Sequence, residues 1–153
     1  MLSAHTRSLI PLLIAVALST SAAAKCNPEI EALEAKVGAA TTIVVAQLQN
    51  ASAEWNDSSS ITVTANYVTL ELLKGQSHSS GSVGTSLTTA GMELTPGLTY
   101  LFFLYGDSEV GFCGGSKRLD WYKASKAGLT HKWVEEELEI LSEIRELVGD
   151  NPT

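Results

Sequence analysis

The chain contains only two cysteines, Cys26 and Cys113, so one disulfide would tie the beginning of the folded protein to its distant second half. Disulfides persist in oxidising compartments and are rare in the cytosol, so the export predicted below makes this bond plausible. In the chain-entropy treatment, closing a loop of this length stabilises the folded state by about 4–5 kcal/mol. A free catalytic thiol is the alternative, but no histidine lies near either cysteine in the sequence, which favours the disulfide.

An export signal is predicted over residues 1–24, which leaves residues 25–153 as a single mature domain. Arg7 supplies the positive start of the signal, and residues 9–18 form an apolar run interrupted only by Pro11. This run is too short to cross a bilayer, which takes about 20 residues, and small residues suited to cleavage follow it. We therefore expect a secreted or periplasmic protein with no membrane insertion after signal removal.

The point of signal cleavage has two alternatives. Cleavage after Ala23 would begin the mature chain at Ala24, whereas cleavage after Ala24 would begin it at Lys25. A lipid-modified Cys26 is a third arrangement. We discount it because Lys25 stands where a lipoprotein signal needs a small residue.

The charge of the mature chain argues against two classes of partner. The signal holds one of the ten Lys and Arg residues and none of the seventeen Asp and Glu residues, so the mature net charge is −8. Nucleic acids and anionic membrane surfaces both favour clustered basic residues. We therefore expect neither of them as a partner.

The order of apolar segments predicts a mainly β domain with flanking helices. Asn27 and Pro28 are suited to begin a short helix, and Gly38 would end it. Strands are expected at residues 42–48, 61–73 and 98–105, and a flexible Ser- and Gly-rich connection over residues 77–86 runs into Val83, Thr85 and Leu87. A long amphipathic helix is expected over residues 130–148, with its apolar stripe on this domain's own sheet rather than on a partner.

A polar loop is expected at residues 50–60. It contains two formal glycosylation sequons, at Asn50 and Asn56, which matter only where the source glycosylates secreted chains.

The second predicted strand changes the parity of its apolar residues partway along. The odd-numbered set is Ile61, Val63, Ala65 and Tyr67, and the even-numbered set is Val68, Leu70 and Leu72. A phase change within one long strand implies a bulge or a sharp coil, as small barrels need where a strand bends. Because regular helices do not separate the strands, a small β-barrel is favoured over a parallel α/β fold.

The mature sequence offers few candidates for catalysis. His78 and His131 are isolated, and no zinc-protease, phosphate-loop, dinucleotide-binding or paired-cysteine zinc motif occurs. Ser116 follows two glycines, but a GxSxG motif is absent, so we interpret it as part of a structural turn. We therefore expect no enzyme, no metal site of its own and no cofactor.

Two further groups of residues are interpreted as structural. The glutamates among residues 135–139 are expected to form a solvated helix face. Trp55, Trp121 and Trp133 could stack on sugars or bases, but they are scattered along the sequence and lack basic surroundings. Ordinary packing is therefore the interpretation for all three.

Several short motifs follow one another in an order typical of a known family. They are Cys26-Asn27-Pro28, Glu31-Ala32-Leu33 leading into residues 42–48, residues 68–75, residues 97–103 and Cys113-Gly114-Gly115-Ser116. With this order and spacing, which span nearly the whole mature chain, the sequence resembles the netrin-like, OB-fold family. That family is typified by the N-terminal domain of tissue inhibitors of metalloproteinases and includes bacterial relatives. The resemblance implies a small closed OB-fold-like barrel, which the phase change and a Cys26–Cys113 bond would suit.

The resemblance also implies a site at the N-terminus. Inhibitors of this family begin with Cys-x-Cys-x-Pro, and the first residue's α-amino group and carbonyl chelate the protease's zinc. The corresponding run here is Ala24, Lys25, Cys26, Asn27 and Pro28, in which Ala24 replaces the first cysteine. Chelation uses backbone atoms, so Ala24 remains a candidate for it. Lys25 would enter the protease's specificity pocket, where a small polar residue is usual and a long cation costs more to desolvate.

Two functions follow as expectations. The first is an exported, non-catalytic protein-binding domain, with zinc metalloprotease inhibition by the N-terminal segment as its most concrete activity. The alternative is a structural or adhesive cell-envelope module that binds a protein through the barrel face or the C-terminal helix. A residue added before Ala24 would abolish the first activity and leave the second unchanged. A third class, a hydrolase, would need a histidine or carboxylate cluster assembled only in three dimensions.

Overall fold

The computed structural model describes residues 32–55, 60–76, 78–87, 91–106 and 108–149. These residues form a mainly β fold, in which a short helix precedes a five-stranded antiparallel sheet and a long helix follows it. The strands are β1 (Thr42–Trp55), β2 (Ile61–Lys74), β3 (Ser80–Ser86), β4 (Thr99–Leu104) and β5 (Lys117–Leu119). The helices are α1 (Leu33–Ala39), α2 (Tyr122–Lys126) and α3 (Lys132–Gly149). The predicted signal and helix start, residues 1–24 with Asn27 and Pro28, lie outside the described residues.

The sheet has β1 near its centre and two open ends. Its strand order is β3-β2-β1-β4-β5, and each neighbouring pair is antiparallel. An isolated parallel bridge joins Gly84 of β3 to Glu109, in the connection between β4 and β5. The described strands do not close into a barrel, so a closed barrel is not confirmed. The mainly β class with a short N-terminal and a long C-terminal helix is confirmed.

The polar segment after Leu48 belongs to β1, and the expectation of a loop from residue 50 was wrong. Residues 50–55 pair with β2, from Asn50 opposite Asn66 to Trp55 opposite Ile61. Most of these β1 residues are exposed, so polar and small side chains are tolerated there and no alternation of burial marks the strand. Asn50, one of the two sequon residues, accepts a hydrogen bond from the Asn66 amide at 2.9 Å.

The irregularity predicted in the second strand is confirmed. Opposite β1, the pairing of β2 skips Leu70 and Leu73, each of which is an extra residue on the β2 side. Both bulges lie a few residues after the point where the parity changes, between Tyr67 and Val68. The adjacent Leu72 and Leu73 pack into the clusters on opposite faces of the sheet, as ordinary alternation along a strand places neighbours. β3 was expected to be largely a flexible connection, but it pairs with β2 over seven residues.

Both faces of the sheet are covered by apolar side chains. Successive side chains of β1 point to opposite faces of the sheet. Ile43 and Val45 lie in one hydrophobic cluster, and Val44 and Ala46 lie in the other. The first cluster lies beneath the three helices, and the second is formed mainly by the sheet and by Met92, Leu94 and Val110 from its connections. The sheet therefore buries residues on two sides, which explains the nearly continuous apolar runs of β1 and β4.

Helix α3 packs on this domain's own sheet, as its apolar spacing predicted. Leu141 and Ile144 are fully buried in the helix-side cluster, and Val134 is also buried. Leu138 belongs to the same sequence stripe but remains 39% exposed. No helix among the described residues combines the length and the apolarity needed to cross a bilayer.

A polar network centred on Glu71 joins β2 to α2 and α3. The Arg145 guanidinium donates to Glu71 Oε1 at 2.6 and 3.0 Å, and the Tyr122 hydroxyl donates to Oε2 at 2.8 Å. Lys126 Nζ lies 3.5 Å from the same oxygen. Burial alone would raise the pKa of Glu71, but the hydrogen bonds from Arg145 and Tyr122 and the two nearby cations together lower it. Burial, followed by the bond to Glu71, raises the pKa of Tyr122.

The Glu71 network predicts a loss of stability in acid. Because the folded-state pKa of Glu71 is lowered, its contribution is fully present above the ordinary glutamate value, about 4.3, and is lost as the pH falls through the folded value. We expect Glu71→Gln to be less stable than the parent at pH 7, with the difference shrinking towards pH 3. Urea unfolding of both proteins at a series of pH values measures this. A difference that stays constant with pH would contradict it.

Candidate interaction surfaces

The predicted protease-binding run lies outside the described residues. This applies to Ala24, Lys25, Cys26, Asn27 and Pro28 alike. Of the predicted site residues, only Cys113 is described. No cysteine in the described part of the chain is a free thiol. The pairing of Cys113 with Cys26 stays a prediction.

Cys113 lies in a well-anchored turn, residues 112–116, which we call the Cys113 turn. It begins with the 3₁₀ segment Phe112–Gly114 and reverses at Gly115, whose φ of +91° is strained for any residue with a side chain. The buried Ser116 Oγ accepts a hydrogen bond from the Phe103 N–H at 3.0 Å. The Tyr105 hydroxyl donates to the Gly114 carbonyl. Two residues at the end of β4 therefore fix this turn, and Ser116 has a structural role.

A cavity of about 520 Å³ borders the Cys113 turn. It lies between α1, α3 and the end of the sheet, and its walls are mainly apolar, with Leu33, Phe112 and Ile140 among them. Lys36, Lys117 and Glu143 add two positive charges and one negative charge to the lining. Mainly apolar walls with a few charged groups are typical of ligand-binding clefts.

The histidines do not assemble into a site. His78 lies just before β3, whereas His131 lies immediately before α3. Among the described residues, no group of three or more His, Cys, Asp or Glu side chains is arranged to hold a metal ion.

An aromatic patch, formed by Trp121, His131 and Trp133, lies where α2 meets α3. The two indole rings stack with centroids 5.8 Å apart and planes at 23°, and His131 lies 4.6 Å from Trp133. Trp121 is 40% exposed and Trp133 is 54% exposed, while Trp55 on β1 is 76% exposed. The expectation of ordinary packing was therefore wrong for the tryptophans. Their separation in the sequence hid a contact that depends on the packing of α2 against α3.

Glu137 fixes one side of the aromatic patch. Its carboxylate accepts hydrogen bonds from the backbone N–H groups of Asp120 and Trp121, at 2.7 and 3.0 Å. These groups lie immediately before α2, which begins at Tyr122. Glu137 thus ties α3 to the segment that enters α2, which corrects its assignment to a solvated face. The exposed Glu135, Glu136 and Glu139 agree with that assignment.

No protein-family model matches the chain, and no curated protein matches it.

Proposed function

We propose that the chain is an exported, non-catalytic protein-binding domain of netrin-like, OB-fold type. Its most concrete activity is inhibition of a zinc metalloprotease by the N-terminal segment. In this proposal the export signal is removed after Ala23, and the binding domain begins at Ala24 and extends to residue 153. The observation that carries the proposal is the Cys113 turn, because a disulfide to it would hold Cys26 on an anchored support.

The strand arrangement supports the OB-type part of the proposal. The OB fold is a five-stranded, partly open Greek-key barrel. β1, β2 and β3 form a meander, β4 pairs with the other edge of β1, and β5 pairs with β4. The parallel bridge between Gly84 and Glu109 brings the connection before β5 against β3. Such a contact is what partial closure of the sheet requires.

The chemistry of inhibition depends on the free end of the chain. With cleavage after Ala23, the α-amino group and carbonyl of Ala24 would bind the protease's zinc, and Lys25 would enter the specificity pocket. Preorganisation matters here, because an unrestrained terminus loses conformational freedom on binding and a tethered one loses less. A bond from Cys26 to the Cys113 turn would supply that tether only two residues from the chelating group.

The test compares three forms of the secreted protein, each with its first residue verified by mass spectrometry. They begin at Ala24, at Lys25, and at a glycine added before Ala24. We expect the Ala24 form to inhibit members of a panel of zinc metalloproteases and the other two forms to be weaker by at least about tenfold. A double variant, Trp121→Ala with Trp133→Ala, serves as a control with an intact terminus and should inhibit as the parent does.

The aromatic patch favours a second candidate, the structural or adhesive envelope module. Exposed tryptophans are frequent anchors of protein interfaces. If this candidate holds, the three N-terminal forms behave alike and the double tryptophan variant alone loses binding. Absence of inhibition by the Ala24 form would rule out the chelation mechanism.

A further inference from the structure

Over half the length of β1, no strand in the described part of the chain pairs with one of its two sides. β4 pairs with β1 only from Thr42 to Gln47. Leu48 then exchanges hydrogen bonds with the connection before β4, donating to the Leu98 carbonyl and accepting from the Gly97 N–H. From residue 49 to 55, no described strand lies on the side opposite β2. We call residues 49–55 the open edge.

The open edge has few of the features that usually block edge-to-edge pairing. Edge strands are commonly protected by Pro or Lys residues or by a bulge. The open edge contains no Pro and no Lys, and its central residues, Ala51, Ser52 and Ala53, are small. A bulge occurs only at its first residue, because the pairing with β2 is irregular between Leu48 and Asn50 and regular from residue 50 to 55. Residues 52–55 are exposed, and Ala51 is half-buried.

Few cations lie on the strands around the open edge. The sequence has no Lys or Arg between Lys36 and Lys74 and none between Lys74 and Lys117. The strands β1, β2, β3 and β4 therefore carry no cation other than Lys74, at the end of β2 remote from the open edge. Glu54 lies exposed on the edge itself, so the charge of the edge is negative.

We propose that the open edge binds an extended, cationic segment of a partner protein, which adds to the sheet as a further strand beside β1. Main-chain hydrogen bonds supply affinity in this mode of recognition, and alternate side chains supply specificity. The exposed Trp55 offers an apolar anchor at the end of the edge, and Glu54 selects positive charge. A second copy of the chain is a poorer occupant, because it would bring another Glu54 and a strongly acidic protein to the same edge. This proposal uses no residue of the N-terminal segment.

The test uses a synthetic peptide, acetyl-Lys-Val-Lys-Thr-Val-Lys-Val-amide, added to the isotope-labelled mature protein. We expect NMR shifts concentrated at residues 49–55 and slower amide hydrogen exchange there. The same peptide with every backbone nitrogen methylated keeps its charge and side chains but cannot pair, so its binding should be weaker by at least about tenfold. Equal binding of the methylated peptide, or absence of binding by the parent peptide, overturns the proposal.

A matched pair of charge variants tests the selection of cations. Glu54→Lys should weaken binding of the peptide by about two- to fivefold, the usual range for an exposed ion pair. Glu146→Lys, an exposed change on α3 with the same effect on net charge, should leave binding unchanged. Equal effects of the two variants would show that only net charge matters and would overturn the assignment to the open edge. Self-association through residues 49–55 in place of peptide binding would also overturn it.

Discussion

Replacing Leu141 with alanine is expected to lower the free energy of unfolding by about 2–5 kcal/mol. Leu141 is 0% exposed and lies in the cluster that joins α3 to β1 and β4. Truncation removes apolar contacts and leaves a cavity within this cluster. The cluster also contains Ile43 of β1, Phe103 of β4 and Ile144 of α3. Because the sheet holds the surrounding side chains, they can fill the cavity only partly. The loss of unfolding free energy should therefore be well above that caused by a surface substitution.

Leu138→Ala is the matched control on the same helix. Leu138 belongs to the same apolar stripe of the sequence, but it is 39% exposed. Its truncation should cost about 1 kcal/mol or less. Urea unfolding of the two variants measures both losses. The comparison is valid when the free energy of unfolding of both variants depends equally on urea concentration. Similar losses for both, or a negligible loss for Leu141→Ala, would mean that the stripe of α3 does not dock on this sheet.

The parts of the fold that could be predicted are those in which local pattern and burial agree. Helix α3 repeats its apolar residues at helical spacing, and the first half of β1 is an apolar run buried on both faces. Pro96 and Gly97 before β4 are a typical pair of turn residues, and Gly97 has the positive φ of +85° that such turns favour. In each case, the residues that determine the element lie within it.

The second half of β1 could not be predicted because its strand conformation depends on pairing with β2. Residues 50–55 are polar or small and mostly exposed, so the segment has the composition of a loop. It is a strand because β2 pairs with it residue by residue up to Trp55. The open edge follows from the same fact. Only the length of the β1–β2 pairing, compared with the shorter β1–β4 pairing, shows that no described strand pairs with the other side of residues 49–55.

The polar contacts of the candidate surfaces are also non-local. Glu71 and Arg145 are 74 positions apart in the sequence, and Glu137 accepts hydrogen bonds from backbone groups 16 and 17 positions earlier. No spacing rule within a helix or strand connects such residues. The sequence correctly placed Ser116 in a turn beside a cysteine, because glycines precede it, but the partner of its hydroxyl, the Phe103 N–H, required the packed structure.

Removing the predicted disulfide, by changing Cys26 and Cys113 together to serine, should cost about 2–5 kcal/mol of unfolding free energy. The bond would close a loop over most of the mature chain, so its loss frees the unfolded state far more than it alters the folded core. Urea unfolding of the oxidised parent, the reduced parent and the double variant measures this. The reduced parent and the variant should agree with each other, and intact mass should show two hydrogens fewer in the oxidised parent.

The oxidised parent and the double serine variant also distinguish the proposed N-terminal site from the proposed site at the open edge. Without the bond, the N-terminal segment is no longer tethered to the Cys113 turn, so inhibition by the Ala24 form should fall by at least about tenfold. Peptide binding at the open edge should persist, because residues 50–55 are held by their pairing with β2. Two reactive thiols in the secreted protein, or equal inhibition by the oxidised parent and the serine variant, would contradict the tether. Loss of both activities together would instead indicate general unfolding, which the urea curves detect independently.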